Sequence, residues 1–235
     1  MTRPKLLDAF CCQGGAWAGY HQAGFDVTGI DNDPRVQKYY PGRFIHGDAI
    51  AYIAKHGHQY DAIHASPPCQ ALTRGNAGKT TPHLNLIPAT RAACEKAGVP
   101  YVIENVEHAA PHLNDPTTLC WTMFNPPGSV EDVDGTPLQM FRHRLFETNW
   151  PLAAPFCNHA NGVQVAGCYG GGRRDAWEAR NVRHGGYVPK NRNVLRALMG
   201  IDWPTTEKGL FEALPPVYTE HIGRQFLAHL ETRAA

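Results

Sequence analysis

The sequence predicts an α/β fold, a parallel sheet covered by helices on both faces. Two observations carry this. Strand and helix signals alternate from the N-terminus to residue 106, and the strands are short continuous apolar runs of the kind buried on both faces. Composition agrees: 235 residues, 43% hydrophobic and 18% charged, describe a globular chain and exclude wholesale disorder, a collagen repeat or a coiled coil. Nothing reaches the roughly 18 consecutive apolar residues of a membrane span. The start, MTRPKLLDAF, enters a strand-like run without a signal-peptide pattern, so a cytosolic location is expected. With 22 Lys and Arg against 21 Asp and Glu, a globally basic nucleic-acid binder is not indicated, though a local patch is compatible. Seven cysteines, an odd number without a CxxC pair, argue against a disulfide framework.

The elements follow in order. KLLDAF (5–10) is a strand, followed by a Gly-containing turn and a helix from Ala16 to Ala23. DVTGID (26–31) is a β-branched strand ending in an acid, and PRVQKYY (34–40) fits a short helix with Pro at its first position. RFIHGD (43–48) and AIAYIAKHG repeat the pair, and DAIHASPP (61–68) is a strand that stops at two prolines. A polar loop covers 70–84, NLIPATRAACEKAG is a helix ending at Gly98, and PYVIENV (100–106) is the next strand. TTLCWTMF (117–124) reads as a strand, 125–138 as an acidic loop, and LFETNW (145–150) as a strand. Residues 151–193 are rich in Gly, Asn, His and Arg with little periodicity. Between 139 and 196 stand nine Arg or Lys and three Asp or Glu. NVLRALMG (193–200) and PVYTEHIGRQFLAHLE (216–231) close the chain as helices. Three parts are expected: a core over 1–150, a recognition segment over 151–193, and C-terminal helices over 194–235 returning to the core.

Four constellations carry chemistry. Asp8-Ala9-Phe10-Cys11-Cys12-Gln13-Gly14-Gly15 closes the first strand, where glycines let backbone approach a ligand at the carboxyl end of a doubly wound sheet. Asp31 ends the second strand, and a carboxylate there suits two ribose hydroxyls; Asp48 ends the third and could accept from an exocyclic amine. The alternative for Asp31, Asp33 and Asp48 is helix N-capping. Ser66-Pro67-Pro68-Cys69-Gln70 presents a cysteine on a proline-stiffened loop, whereas a free Cys is more often core filler. Glu104-Asn105-Val106 puts an acid into an apolar strand, where desolvation would keep it protonated and able to donate to a ring nitrogen. Arg142-His143-Arg144 places two cations on one strand face, over a nucleophile or a phosphate, or else on a solvated edge.

Together these motifs resemble the cytosine-C5 DNA methyltransferase family. The first constellation, with Gly19 and Ala23-Gly24-Phe25, resembles its S-adenosylmethionine loop. Pro68-Cys69-Gln70 resembles its nucleophile motif, and Glu104-Asn105-Val106 its catalytic acid motif. Arg142 and Arg144 resemble the arginines of its QxRxR motif, with Gln139 one residue too far away. The last helix, with Ile222-Gly223, falls where the family's final motif completes the cofactor pocket. Cys12 stands where the family usually has a glycine, and Ile222-Gly223-Arg224-Gln225 replaces its Gly-Asn-Ala-Val. Order and spacing match across nearly the whole chain, and the short 151–193 segment is similar to that of compact phage-encoded members.

The resemblance implies a Rossmann-like S-adenosylmethionine-dependent methyltransferase fold with a small inserted target-recognition segment. It implies S-adenosyl-L-methionine as cofactor, held by Asp8, Phe10, Gln13, Gly14, Gly15, Asp31, Asn32, Asp48, Ala49 and Pro67. It implies catalysis by Cys69, Glu104, Arg142 and Arg144 on a flipped cytosine. Double-stranded DNA is the implied partner, in the host cytoplasm for a phage-encoded protein, with phosphate contacts from Arg173, Arg174, Arg180, Arg183, Lys190 and Arg192. An RNA or free-nucleotide cytosine substrate, and a catalytically silent nucleic-acid-binding homologue, are the alternatives. Cys157, His159, Cys168 and His184 lie close in sequence, but their spacing matches no common zinc knuckle or finger, so free Cys and surface His are expected and no metal.

Overall fold

The computed structural model describes residues 2–69, 84–168 and 186–234. Its strands are β1 (Lys5–Ala9), β2 (Asp26–Asp31), β3 (Arg43–His46), β4 (Ala62–Ala65), β5 (Tyr101–Asn105), β6 (Thr117–Leu119), β7 (Val130–Glu131), β8 (Pro137–Gln139), β9 (Arg144–Thr148) and β10 (Gln164–Val165). The helices are α1 (Gly15–Ala23), α2 (Ala49–His56), α3 (Ile87–Ala97), α4 (Arg192–Met199), α5 (Glu207–Glu212) and α6 (Pro216–Ala234). The main sheet runs β3-β2-β1-β4-β5-β9-β6; the first five strands are parallel, and β9 is antiparallel to both its neighbours. The strand order reverses between β1 and β4, which opens a crevice at their carboxyl ends. The expected α/β architecture with a parallel core is therefore the one found.

Strand alternation feeds two cores. Leu6 and Val27 face α1 and α6 with Tyr20, Phe25, Tyr218, Ile222 and Phe226, while Leu7 and Ile30 face α2 and α3 with Ile53, Ile63 and Cys94. A bidentate ion pair from Arg91 on α3 to the buried Glu147 on β9 (2.5 and 2.6 Å) ties the second layer to the antiparallel strand.

The α1–α6 contact leaves no room for a side chain at Gly19. A Cβ there would fall 2.0 Å from the Pro216 carbonyl oxygen and 2.2 Å from Thr219 Oγ1, the hydroxyl that donates to the Ala16 carbonyl. Overpacking of this kind costs about 1–3 kcal/mol. Gly19→Ala is expected to lower the melting temperature by roughly 4–10 °C in a chain of this size, by thermal denaturation. An unchanged melting temperature would show that the two helices part freely.

Several elements differ from expectation. The helix over 34–40 is a single 3₁₀ turn, Pro34–Val36, because Tyr40 turns inward to Asp8 and Pro41 forbids continuation. The strand over 117–124 stops at Leu119; Trp121 turns away and its Nε1 donates to the Leu198 carbonyl (2.7 Å). The loop over 125–138 contains β7 and the start of β8, which with β10 form a second, three-stranded sheet. α5, capped by the Thr206 side chain, has no counterpart in the periodicity. Among the described residues no helix is long and apolar enough to cross a membrane.

Candidate active site

The loop after β1 is held in a left-handed backbone. Phe10 has φ 60° and Cys12 φ 45°, a region that favours glycine, and the N-cap Gly14 has φ 91°. The glycine that usually stands at position 12 in the resembled family thus corresponds to a backbone requirement. The loop is pinned by Asp31, whose Oδ2 accepts from the Cys12 amide (3.0 Å) and Oδ1 from the Asp33 amide (2.9 Å). A carboxylate has about four acceptor sites, so each oxygen keeps capacity toward the crevice. Asp48 N-caps α2 through Ala51 (2.7 Å) and Asp33 caps its own 3₁₀ turn, so capping holds for these two. Asn32 offers its carbonyl to His46, and Ala49 is buried in the first turn of α2. Gly15 packs under Leu214.

Gln13 does not face the crevice. Its amide is locked to Thr206 by two 2.8 Å hydrogen bonds, and its carbonyl accepts from Trp203 Nε1. It clamps the C-terminal segment onto the loop, which corrects the expectation of a cofactor contact from this side chain.

Asp8 is buried beneath the loop, and desolvation pushes its carboxyl up to about 7 against donation from the Tyr40 hydroxyl. The unfolded chain ionises near 3.8, so the folded state holds the extra proton between about pH 4 and 7, and its stability falls as pH rises through that window. Asp8→Asn removes this slope. The stability of the variant relative to the parent is expected to improve by up to about 4 kcal/mol between pH 4 and pH 8 in denaturant titrations. The lost acceptor gives a constant offset; a difference independent of pH would mean that Asp8 is ionised in the fold.

The loop after β4 lies across the switch point. Asn105 Nδ2 donates to the Pro67 carbonyl (2.8 Å), and the Ser66 amide to Ala9 (3.1 Å), so the Pro67-Pro68-Cys69 turn is strung between the ends of β1 and β5. Cys69 is half-buried; desolvation pushes its thiol up, Glu104 adds to this, and Arg144 opposes it. Gln70 lies outside the described residues. Glu104 is buried on β5, with Arg144 Nε 3.3 Å from its Oε1. Burial raises the Glu104 carboxyl, offset in part by Arg144, by the Ser66 hydroxyl and by Arg142. Cys69, Glu104 and Arg144 therefore meet at one end of the sheet.

Arg142 and Arg144 differ in their hydrogen-bond partners. β9 begins only at Arg144, and the buried Arg142 guanidinium donates to the carbonyls of Cys168 (2.5 Å), Phe211 (2.8 Å) and Ala213 (2.7 Å). Arg142 is a clamp on two distant segments, and with Arg144 it also lowers the Glu104 carboxyl. Gln139 is likewise a clamp, holding Ala160 and Val163.

Three residues were not found from sequence. Tyr20 and His64 hydrogen-bond at 2.9 Å, and His64 Nε2 meets Ser66 Oγ at 3.0 Å, so a buried chain leads from α1 to Glu104. Burial drives His64 down to about 3, so it is neutral. Glu212, held between the residues that Arg142 clamps, raises the Cys12 and Cys69 thiols and is itself raised, by burial first and by Asp31 in part. The Ser66 hydroxyl was visible only as a neighbour of the cysteine motif.

Of the basic residues, Arg173, Arg174, Arg180 and Arg183 lie outside the described residues, as does His184. Lys190 pairs with Asp134 on the surface, and Arg192 opens α4.

No family model matches the chain, and no curated protein matches it in sequence. Solved structures do match. A protein described as a DNA modification methyltransferase encoded within an E. coli prophage superposes with a TM-score of 0.59 at 12% identity, covering 97% of this chain and 99% of the other. Dnmt2 methyltransferase of S. pombe gives 0.59 at 14% identity, and a triple mutant of DNMT2 from Spodoptera frugiperda 0.56 at 13%, both with the same coverage. The chain has the fold of these methyltransferases from end to end, in agreement with the family that its motifs resemble.

Proposed function

We propose that this chain is a DNA cytosine-C5 methyltransferase acting through Cys69. One observation carries the reading: the ends of β4 and β5 and the start of β9 bring Cys69, Glu104 and Arg144 together beside the strained loop of β1. The residues fit S-adenosyl-L-methionine, since Asp31 retains acceptor capacity for ribose hydroxyls at the end of β2. Asp31, Phe10, Asn32 and Asp48 would hold it. When bound, this cofactor supplies an electrophilic methyl group on a sulfonium.

Cytosine C5 is too weak a nucleophile to take that methyl unaided, and covalent addition removes the difficulty. The Cys69 thiol loses its proton to solvent and its sulfur bonds to C6. Arg144 favours the thiolate, because it is the cation that lowers the Cys69 pKa. The electron pair of the C5–C6 double bond moves toward N3, where protonated Glu104 donates. C5, now enamine-like, is the carbon that would accept the methyl; water then removes the C5 proton, the double bond re-forms, Cys69 leaves as thiolate and N3 returns its proton to Glu104. Arg142 acts through position, fixing the segment that carries Glu212 at the rim. The base must leave the helix to reach Cys69, at a cost of a few kcal/mol, roughly, which phosphate contacts must offset.

A duplex containing 5-fluorocytosine tests this, because fluorine at C5 blocks the final elimination. With S-adenosylmethionine present, mass spectrometry is expected to find the methylated duplex bound to the peptide carrying Cys69. An adduct with tRNA or a free cytidine nucleotide instead would overturn the choice of DNA, and no adduct would overturn the covalent route.

A further inference from the structure

The geometry points to a structural zinc site built from Cys120, His143, Cys157 and His159. Their ligand atoms all lie within 4.8 Å of one another. Cys120 Sγ is 3.3 Å from His159 Nε2, and Cys157 Sγ is 3.6 Å from His143 Nε2. A tetrahedral zinc with bonds of about 2.3 Å to sulfur and about 2.0 Å to nitrogen sets sulfur and nitrogen ligands about 3.5 Å apart. Two thiolates and two imidazoles are a borderline-soft set that suits this ion, and four protein ligands close the coordination sphere.

The backbone brings the ligands together. β6 and β9 pair with Leu119 opposite Arg144, so Cys120 and His143 are neighbours at the ends of adjacent strands. Cys157 and His159 stand two apart on an extended segment and project to one side. The outer groups are those of a ligated histidine. His143 turns Nε2 to the sulfur, and Glu107 Oε1 lies 3.7 Å from its Nδ1, close enough for a small movement to make the carboxylate–histidine hydrogen bond that orients a ligated ring. His159 stacks on Phe141 with ring centroids 3.9 Å apart, and Cys120 Sγ lies 3.3 Å from the Thr122 hydroxyl. On binding, each thiol gives its proton to solvent and the imidazoles stay neutral, so zinc with two thiolates carries no net charge.

The segment concerned is held by hydrogen bonds at its ends, from Ala153 to Gln225 and from Ala160 to Gln139, and by few apolar contacts between them. Phe156 is 95% exposed, and the chain from 153 to 159 is solvent-facing throughout. Zinc would staple this stretch to the residue between Arg142 and Arg144. Cys168, by contrast, is buried in the apolar core and apart from the quartet.

Elemental analysis of the full chain, purified without chelator, is expected to give one zinc per chain. Chelator-treated protein titrated with cobalt(II) is expected to show a thiolate-to-metal charge-transfer band and intense tetrahedral ligand-field bands. His159→Ala and Cys157→Ser should each weaken cobalt binding by more than about 100-fold, Glu107→Gln by about tenfold, and the remote His58→Ala not at all. Zinc-free protein whose chelated form gives no thiolate–cobalt band would overturn the proposal. So would a Cys120–Cys157 disulfide in protein isolated under reducing conditions. The wild-type spectrum stands as evidence even if a variant fails to fold, and none of these readouts depends on methyl transfer.

Discussion

Cys69→Ser is expected to reduce methyl transfer to DNA by about 10⁴-fold or more, with cofactor affinity and melting temperature close to those of the parent. The serine hydroxyl is nearly isosteric, and the loop's anchors are backbone and Asn105 contacts that the substitution leaves in place. What is lost is nucleophilicity. A thiol reaches the anion at accessible pH, but an alcohol needs a general base, and His64, at the end of β4, has both ring nitrogens engaged by Tyr20 and Ser66. Methylation of labelled duplex under single-turnover conditions, alongside cofactor binding by calorimetry, separates chemistry from binding. A loss below tenfold would remove position 69 from the covalent step. An equal loss of cofactor affinity would assign it to the pocket instead.

The two halves of this site were not equally legible in the sequence. β1 to β5 stood out because strands buried on both faces must be apolar throughout, as in Leu6-Leu7 and Ile63. Cys69 stood out because two prolines present it on a loop past a strand end, and Glu104 because it interrupts an apolar strand. Arg142 was legible as a cation but not as a clamp, since its partners at Phe211 and Ala213 lie 69 and 71 residues away. Gln13 was misplaced for the same reason, with Thr206 at a separation of 193. The quartet of Cys120, His143, Cys157 and His159 was only half visible, because a short spacing links Cys157 to His159 alone; Cys120 and His159 meet across 39 residues. His64 was hidden inside an apolar strand, where a neutral hydrogen-bonded imidazole is as compatible as an aliphatic side chain. Local motifs follow from chain-local geometry, whereas clamps and ligand sets follow from the sheet order, which periodicity does not specify.

Glu104→Gln gives the second large effect, and its value lies in two readouts that move in opposite directions. The carboxyl is raised by burial, which favours the protonated form that donates to N3, and that form recedes as pH rises. Glutamine still donates a hydrogen bond from its amide but cannot deliver a proton as the ring becomes electron-rich. A loss of about 10²–10⁴-fold in single-turnover rate is expected, smaller than for Cys69→Ser. At the same time the variant removes the negative charge that raises the Cys69 pKa, and frees Arg144 from its 3.3 Å ion pair. The thiol should therefore ionise at lower pH and react faster with iodoacetamide, by several-fold at pH 8, even as methylation slows. A purely structural disturbance would degrade both rates or neither. If alkylation of Cys69 slows together with methyl transfer, the carboxyl supports the loop and does not serve the ring nitrogen, and proton delivery must come from elsewhere in the pocket.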